Sequence, residues 1–262
     1  MTARRSCLSL LVLSLLSGAF IHAQDQPTRL TFDVAAIRLS KEETRNGAIK
    51  AMPSGQGYTA YNIPVKLMIS LMYKVPMRQI KGGPDWLSSD RYDVEARADH
   101  PYNLEDLHVM YQNLLADRFN LKLHKETKEG PVYALTVDTP GSKMKVNDHA
   151  QDFNIPINYS PNGTAVGIRV PMPYLCWWLG LQLQNDERPV VDMTGLDKNY
   201  DFTLTFAPVL PPEVQKENQS SEPENRPSLF DAVKQQLGLK LQAQRGPVAY
   251  YVIDHIDRPS DN

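Results

Sequence analysis

The chain has 262 residues, 28 Lys and Arg against 30 Asp and Glu, and a hydrophobic fraction of 42%. Near-balanced, slightly acidic charge gives it no basic surface with which to displace counterions, which argues against a general nucleic-acid or anionic-membrane binder.

Arg4-Arg5, an apolar run over residues 7–20 and the segment Ile21-His22-Ala23 have the parts of a signal peptide cut after Ala23. The run has 14 residues, short of the roughly 20 that a membrane-spanning helix needs. Removing 23 of 262 residues leaves 239, with 26 Lys and Arg against 30 Asp and Glu, because the two lost charges are arginines. No later apolar stretch is long enough to span a membrane, so the mature chain is expected in the periplasm or outside the cell. Of the two cysteines only Cys176 then remains, in Leu175-Cys176-Trp177-Trp178-Leu179. An exported chain with one thiol must be held by its hydrophobic core, and this thiol reads as a small buried apolar group.

Residues 30–39 predict an extra strand and residues 41–57 a polar loop. Residues 58–63 predict a strand, and Pro64 opens a helix to Tyr73 at the first position, where a missing N–H costs nothing. Lys81-Gly82-Gly83-Pro84 breaks the chain. Tyr92, Val94 and Ala96 then alternate with Asp93, Glu95 and Arg97, the period of a strand with one face in a core. Asn103 caps a second helix with Asp106 three residues on, and Leu104, Leu107, Tyr111, Leu114 and Leu115 carry its apolar stripe. Asn120 closes that helix before two strands, at 121–127 and 132–138.

The same series then recurs. Ile63-Pro64 returns 107 residues later as Val170-Pro171, Tyr92-Asp93 returns 108 later as Tyr200-Asp201, and Leu121-Lys122-Leu123 returns 118 later as Leu239-Lys240-Leu241. The position matching Asn120 is Gly238. Asn and Gly are the residues that best tolerate the left-handed conformation at a helix end, so the geometry survives the change of letter. Residues 208–227, rich in Pro, Glu, Gln, Asn and Ser, predict a mobile insertion that accounts for most of the change in offset. The expected organisation is a signal peptide (1–23), a first lobe (24–139), a connecting segment (140–163) and a second lobe (164–262). Each lobe is read as β-α-β-β-α-β-β, an α+β unit with helices on one face of a mainly antiparallel sheet.

No nucleophile elbow, phosphate loop, zinc helix or Cys-x-x-Cys pair is present. His100, Asp106 and His108 are close in sequence, but their spacing across Pro101 and around a helix does not converge on a metal, and no metal or cofactor is expected. Asp93 and Asp201 recur, and in the enzyme alternative they form an acid–base pair between facing lobes, with His255 beside Asp254 and Asp257 as a candidate base. Alternation places both aspartates on polar faces, which favours a structural bond to the neighbouring loop. Trp86, in a loop, and Trp177 and Trp178, in a helix, are the candidate ligand or partner contacts. Adjacent helix residues point about 100° apart, so one of Trp177 and Trp178 should fill the core while the other meets its edge or the opposite lobe.

Phe32-Asp33-Val34-Ala35, Gly82-Gly83-Pro84-Asp85-Trp86-Leu87, Asp90-Arg91-Tyr92-Asp93-Val94-Glu95-Ala96, Leu115-Ala116-Asp117-Arg118-Phe119 and Val252-Ile253-Asp254-His255-Ile256 together resemble an exported, soil-associated family of unknown function multiplied in Acidobacteria. That resemblance spans nearly the whole mature chain and implies no reaction. Each lobe is also similar, in the pattern Asn62-Ile63-Pro64 to helix and Asn103-Leu104-Glu105-Asp106-Leu107 to helix, to the short N-terminal domain of secretins and TonB-dependent receptors, which implies protein contacts in the envelope. The expected function is an exported, non-catalytic module binding an envelope or extracellular protein or a small ligand. A hydrolase with its site between the lobes and a sensory module of an envelope signalling system are the alternatives.

Overall fold

In the computed structural model, which describes residues 29–41, 46–149, 155–160, 162–183, 188–207 and 226–259, the alternating stretch around Asp93 is strand β5 (Arg91–Arg97), with Tyr92, Val94 and Ala96 buried. It lies inside a four-stranded antiparallel sheet ordered β1 (Val34–Leu39), β5, β3 (Gly57–Pro64) and β2 (Ala48–Ala51). Helices α1 (Val65–Met72), α2 (Trp86–Ser89) and α3 (Leu104–Arg118) bury Met68, Ile69, Leu87 and Leu107 in its core. The opposite face carries exposed Arg38 and Glu95.

A second antiparallel sheet is ordered β7 (Lys145–Val146), β11 (Asn199–Thr205), β9 (Thr164–Pro171) and β8 (Ile157–Ser160). Its order is that of the first sheet with every strand six places later. Helix α4 (Met172–Gln182) and helix α5 (Leu229–Ala232), which continues as a π-helical turn over Val233–Leu237, cover it. The chain is an α+β protein. Residues 140–163 were expected to connect two lobes. They instead contribute β7 and β8 to the second sheet, short strands whose one or two apolar residues left no period to read. The loop expected at 41–57 likewise contains β2. The predicted signal peptide (1–23) and all but the last two residues of the predicted insertion (208–227) lie outside the described residues.

The third sheet was not expected. The two strands read at the end of each lobe are one long strand, β6 (Lys122–Val137) in the first half and β12 (Leu239–His255) in the second. These pair antiparallel with each other, flanked by β10 (Val190–Asp192) on β6 and β4 (Ile80–Gly82) on β12, both parallel. The Gly130-Pro131 pair, which falls between the strands expected at 121–127 and 132–138, runs straight through. Tyr133 donates its N–H outward to the Pro189 carbonyl 2.9 Å away, so Pro131, two residues earlier, has its missing donor on that same outward side and takes nothing from the β6–β12 ladder. Gly130 sits opposite Gly246 at the ladder's centre. A Cβ on Gly130 would lie 3.0 Å from Val248 Cγ2, and one on Gly246 would lie 3.1 Å from Val132 Cγ2, so each glycine leaves room for a valine of the paired strand.

This ribbon ties the halves together. Leu121, Ile253 and Ile256 at one end join the first core, while Tyr133, Leu135, Leu239 and Leu241 at the other join the second.

Candidate functional site

Asp93 and Asp201 do the same local work in the two halves. Asn62 (φ 55) and Arg169 (φ 51) are left-handed residues at the bulges of β3 and β9. Their backbone N–H groups donate to Asp93 Oδ1 at 2.9 Å and Asp201 Oδ1 at 2.8 Å. Asp93 also accepts from Arg38 at 3.2 Å, and Asp201 from the Asn147 amide at 2.8 Å. The recurring carboxylate thus fixes the bulge that starts the following helix. His255 is exposed and pairs with Asp257 at 2.9 Å. Asp93, Asp201 and His255 make no hydrogen bond to one another, since each stands in a different sheet.

The three tryptophans separate as well. Trp86 is half-buried at the start of α2 with the Arg258 guanidinium 5.1 Å from its ring centre. Trp178 is buried in the second core, edge-on to Phe206 and Tyr159. Trp177, one residue away, is half-buried at the edge of that core and lines the seam between the halves, where its ring meets Tyr174 edge-on. The residue 107 places earlier is Ser70, a buried side chain that donates to the Val75 carbonyl at 2.6 Å, so this indole exists in one half only.

Three adjoining cavities follow the seam. One of about 210 Å³ is lined by Tyr58, Leu71, Met72 and His108 from the first half and Tyr174, Trp177 and Trp178 from the second. A smaller one of about 60 Å³ shares His108 and Tyr174 and adds Lys74, Glu105 and Arg169. A wider one of about 390 Å³ shares Trp177 and Lys74 and adds Lys125, Asp192 and Tyr251. Lys74 and Glu105 form an ion pair.

His108 and Trp177 each present a polar atom here that has no hydrogen-bond partner among the described residues. His108 is 6% exposed; its Nε2 lies 3.0 Å from the Tyr58 hydroxyl, and its Nδ1 has no hydrogen-bond partner. The buried Trp177 Nε1 has none either. Orphaned buried polar atoms are costly and uncommon. Burial, with Lys74 adding to it, lowers the His108 pKa to about 4, so the imidazole is neutral near pH 7. One of its nitrogens is therefore a donor and the other an acceptor, and whichever role Nε2 takes with Tyr58, Nδ1 retains the unused one. Burial raises Tyr174 to about 12 and pushes the Cys176 thiol well above its ordinary value. No anion or thiolate nucleophile is generated there. The arrangement can enclose an apolar body and offer it two hydrogen-bonding groups.

Sequence reasoning selected Trp177 and Trp178, weighed His108 only as a metal ligand, and passed over Tyr58, Tyr174, Lys74 and Arg169. His108 had a signal, since it falls on the stripe of Leu104, Leu107, Tyr111 and Leu115 as its polar member. Lys74 and Arg169 had none, because their place depends on left-handed backbone at φ 52 and 51. Among the described residues no group of three or more His, Cys, Asp or Glu is placed to hold a metal, and no helix is long and apolar enough to cross a membrane. Neither a curated protein nor a solved structure matches the chain. The match that exists covers residues 66–256, from α1 through the last residue of the first core, and by it the chain belongs to DUF3738, a family of proteins of unknown function.

Proposed function

We propose that this protein is an exported, non-catalytic binding module whose ligand site is the seam around Trp177. The observation that carries this reading is the 210 Å³ cavity, walled by aromatic and aliphatic side chains from both halves and lined by His108 and Trp177, whose buried Nδ1 and Nε1 have no hydrogen-bond partner among the described residues. Mostly apolar cavities with a few polar groups, placed where two substructures meet, are the usual form of small-molecule sites. Export rests on the composition of residues 1–23. An envelope setting is further supported by the likeness of the whole to the exported acidobacterial family and of each half to the short N-terminal domain of secretins and TonB-dependent receptors. The hydrolase alternative draws no support from Asp93, Asp201 and His255, each engaged separately.

Calorimetric titration with 2-naphthol, an aromatic body with one hydroxyl, tests the site. One-to-one saturable binding is expected. Trp177→Phe, which keeps a ring and removes the N–H, should weaken it about fivefold, the worth of one neutral hydrogen bond. Trp86→Ala, away from the seam, should leave it unchanged. Full-strength binding in Trp177→Ala would place the ligand elsewhere.

A further inference from the structure

Tyr58 decides which hydrogen-bonding role each nitrogen of the seam plays. Its side chain is buried, and among the described residues its hydroxyl has one hydrogen-bond partner, His108 Nε2 at 3.0 Å. Burial pushes the phenol far above its ordinary value, so it keeps its proton. If Nε2 carried a hydrogen and donated to the Tyr58 oxygen, two groups would go unpaired, the Tyr58 proton and the lone pair of Nδ1. With the O–H donating to Nε2, only the second ring nitrogen is left over. Buried groups without partners are costly, so the second arrangement prevails. Nε2 is then the acceptor, and the neutral imidazole holds its hydrogen on Nδ1. A protonated ring would carry that hydrogen too, so the role of Nδ1 does not depend on titration.

Both orphaned atoms are therefore N–H donors. Trp177 Nε1 can only donate, and His108 Nδ1, on a side chain 6% exposed, donates as well. Neither meets an acceptor among the described residues, and both side chains line the 210 Å³ cavity. The Tyr174 hydroxyl in the same wall can turn to either role. Around these groups stand Ile49, Leu71, Met72, Leu104 and Trp178. Against such an apolar wall an ion loses its hydration, and a donor that faces another donor leaves both unpaired. What suits the cavity is an uncharged body that brings acceptors to it.

Resting on the seam-site reading above, we propose that the ligand is a neutral, apolar carbonyl compound, a ring ketone or lactone with no N–H or O–H at its polar end. Its oxygens accept from His108 Nδ1–H and Trp177 Nε1–H, and its ring body lies against Leu71, Met72 and Trp178. Tyr58 serves as a positioning residue, because it holds the tautomer that makes His108 a donor.

Nitrogen-15 NMR of the free protein at pH 7 reads that tautomer directly. A proton on Nδ1 is expected, and a proton on Nε2 would overturn the assignment whatever binds. Calorimetry then compares three fused bicyclic rings of similar size. Coumarin only accepts, 2-quinolone replaces the ring oxygen of coumarin with an N–H, and indole only donates. Coumarin should bind about tenfold more tightly than indole, with 2-quinolone between them. Trp177→Phe and His108→Phe should each weaken coumarin about fivefold and leave indole unaffected. His108→Phe also strands the Tyr58 hydroxyl, so the double variant with Tyr58→Phe, which removes that hydroxyl, should show the same loss of affinity with a Tm closer to that of the wild type. Tyr58→Phe alone frees the imidazole to take either tautomer and should narrow the gap between coumarin and indole. Indole binding as tightly as coumarin, or full coumarin affinity in both Trp177→Phe and His108→Phe, overturns the carbonyl assignment. If coumarin and indole bind equally and Trp177→Ala abolishes both, the seam site stands and only its donor character is wrong. If none of the three binds, the seam reading falls with it.

Discussion

Burial of His108 makes a local side chain into a global pH term. An unfolded chain protonates this imidazole near 6.5, the folded one only near 4. Between those values the unfolded state binds more protons, so the stabilisation present above pH 6.5 is lost as pH falls, by about 3 kcal/mol on reaching pH 4. His124, exposed and held by Asp254 and Glu126, shifts upward. Its contribution is complete below 6.5 and is lost only as pH rises through its folded value, so it leaves the acid window untouched. Thermal melts from pH 7 to 4.5 should therefore show Tm falling, with His108→Gln flattening the slope; an unchanged slope in that variant would assign the acid sensitivity to carboxylates. The same scale separates Trp177 from Trp178. Their 100° offset on a helix was legible in the sequence, which sent one to the core and one to the lobe edge. Which indole took which place was decided by Phe206 and Tyr159 on one side and Tyr174 on the other.

The helix ends illustrate what local sequence can specify. Asn103 and Ser228 accept from Asp106 N at 2.9 Å and Asp231 N at 3.2 Å, the caps that the letters predict. Asn120 and Gly238 close their helices at φ 49 and 66. Gly238 meets a second demand, since a Cβ there would lie 2.1 Å from the Gly141 carbonyl oxygen. Gly238→Ala should thus cost about 3 kcal/mol, combining left-handed strain with displacement of fixed backbone, whereas Asn120→Gly should be near neutral; chemical denaturation of both variants measures the contrast. Capping is legible because its partners are three residues apart. The final strands were misread for the converse reason. Gly130-Pro131 carries a local turn signature, and nothing within a few residues reports that Gly246-Pro247 will lie opposite and supply the ladder that keeps the strand straight.

At the scale of the whole molecule, β6 and β12 pair antiparallel with Gly130 opposite Gly246, and the space over the two glycines is taken by Val248 and Val132. Two sheets with matching strand order flank this ribbon. Each half therefore relies on the other, the first core taking Ile253 and Ile256 and the second taking Tyr133 and Leu135. A fragment of residues 24–149 would expose an unpaired long strand and lack part of its core. Alone it should melt without a cooperative transition, and mixing it with residues 150–262 should restore one transition and a one-to-one complex by size-exclusion chromatography. Independent cooperative folding of the first fragment would show that the ribbon is dispensable. The sequence by itself determined the kinds of element, the caps and the polar place of Asp93 and Asp201, because each rests on a period or on partners a few residues apart. Only the tertiary structure decided that the end strands join across the halves and that Lys74, His108, Arg169 and Trp177 share one seam. Those contacts join residues from different elements, many of them more than 60 positions apart, and no local periodicity encodes which face of one half will close upon the other.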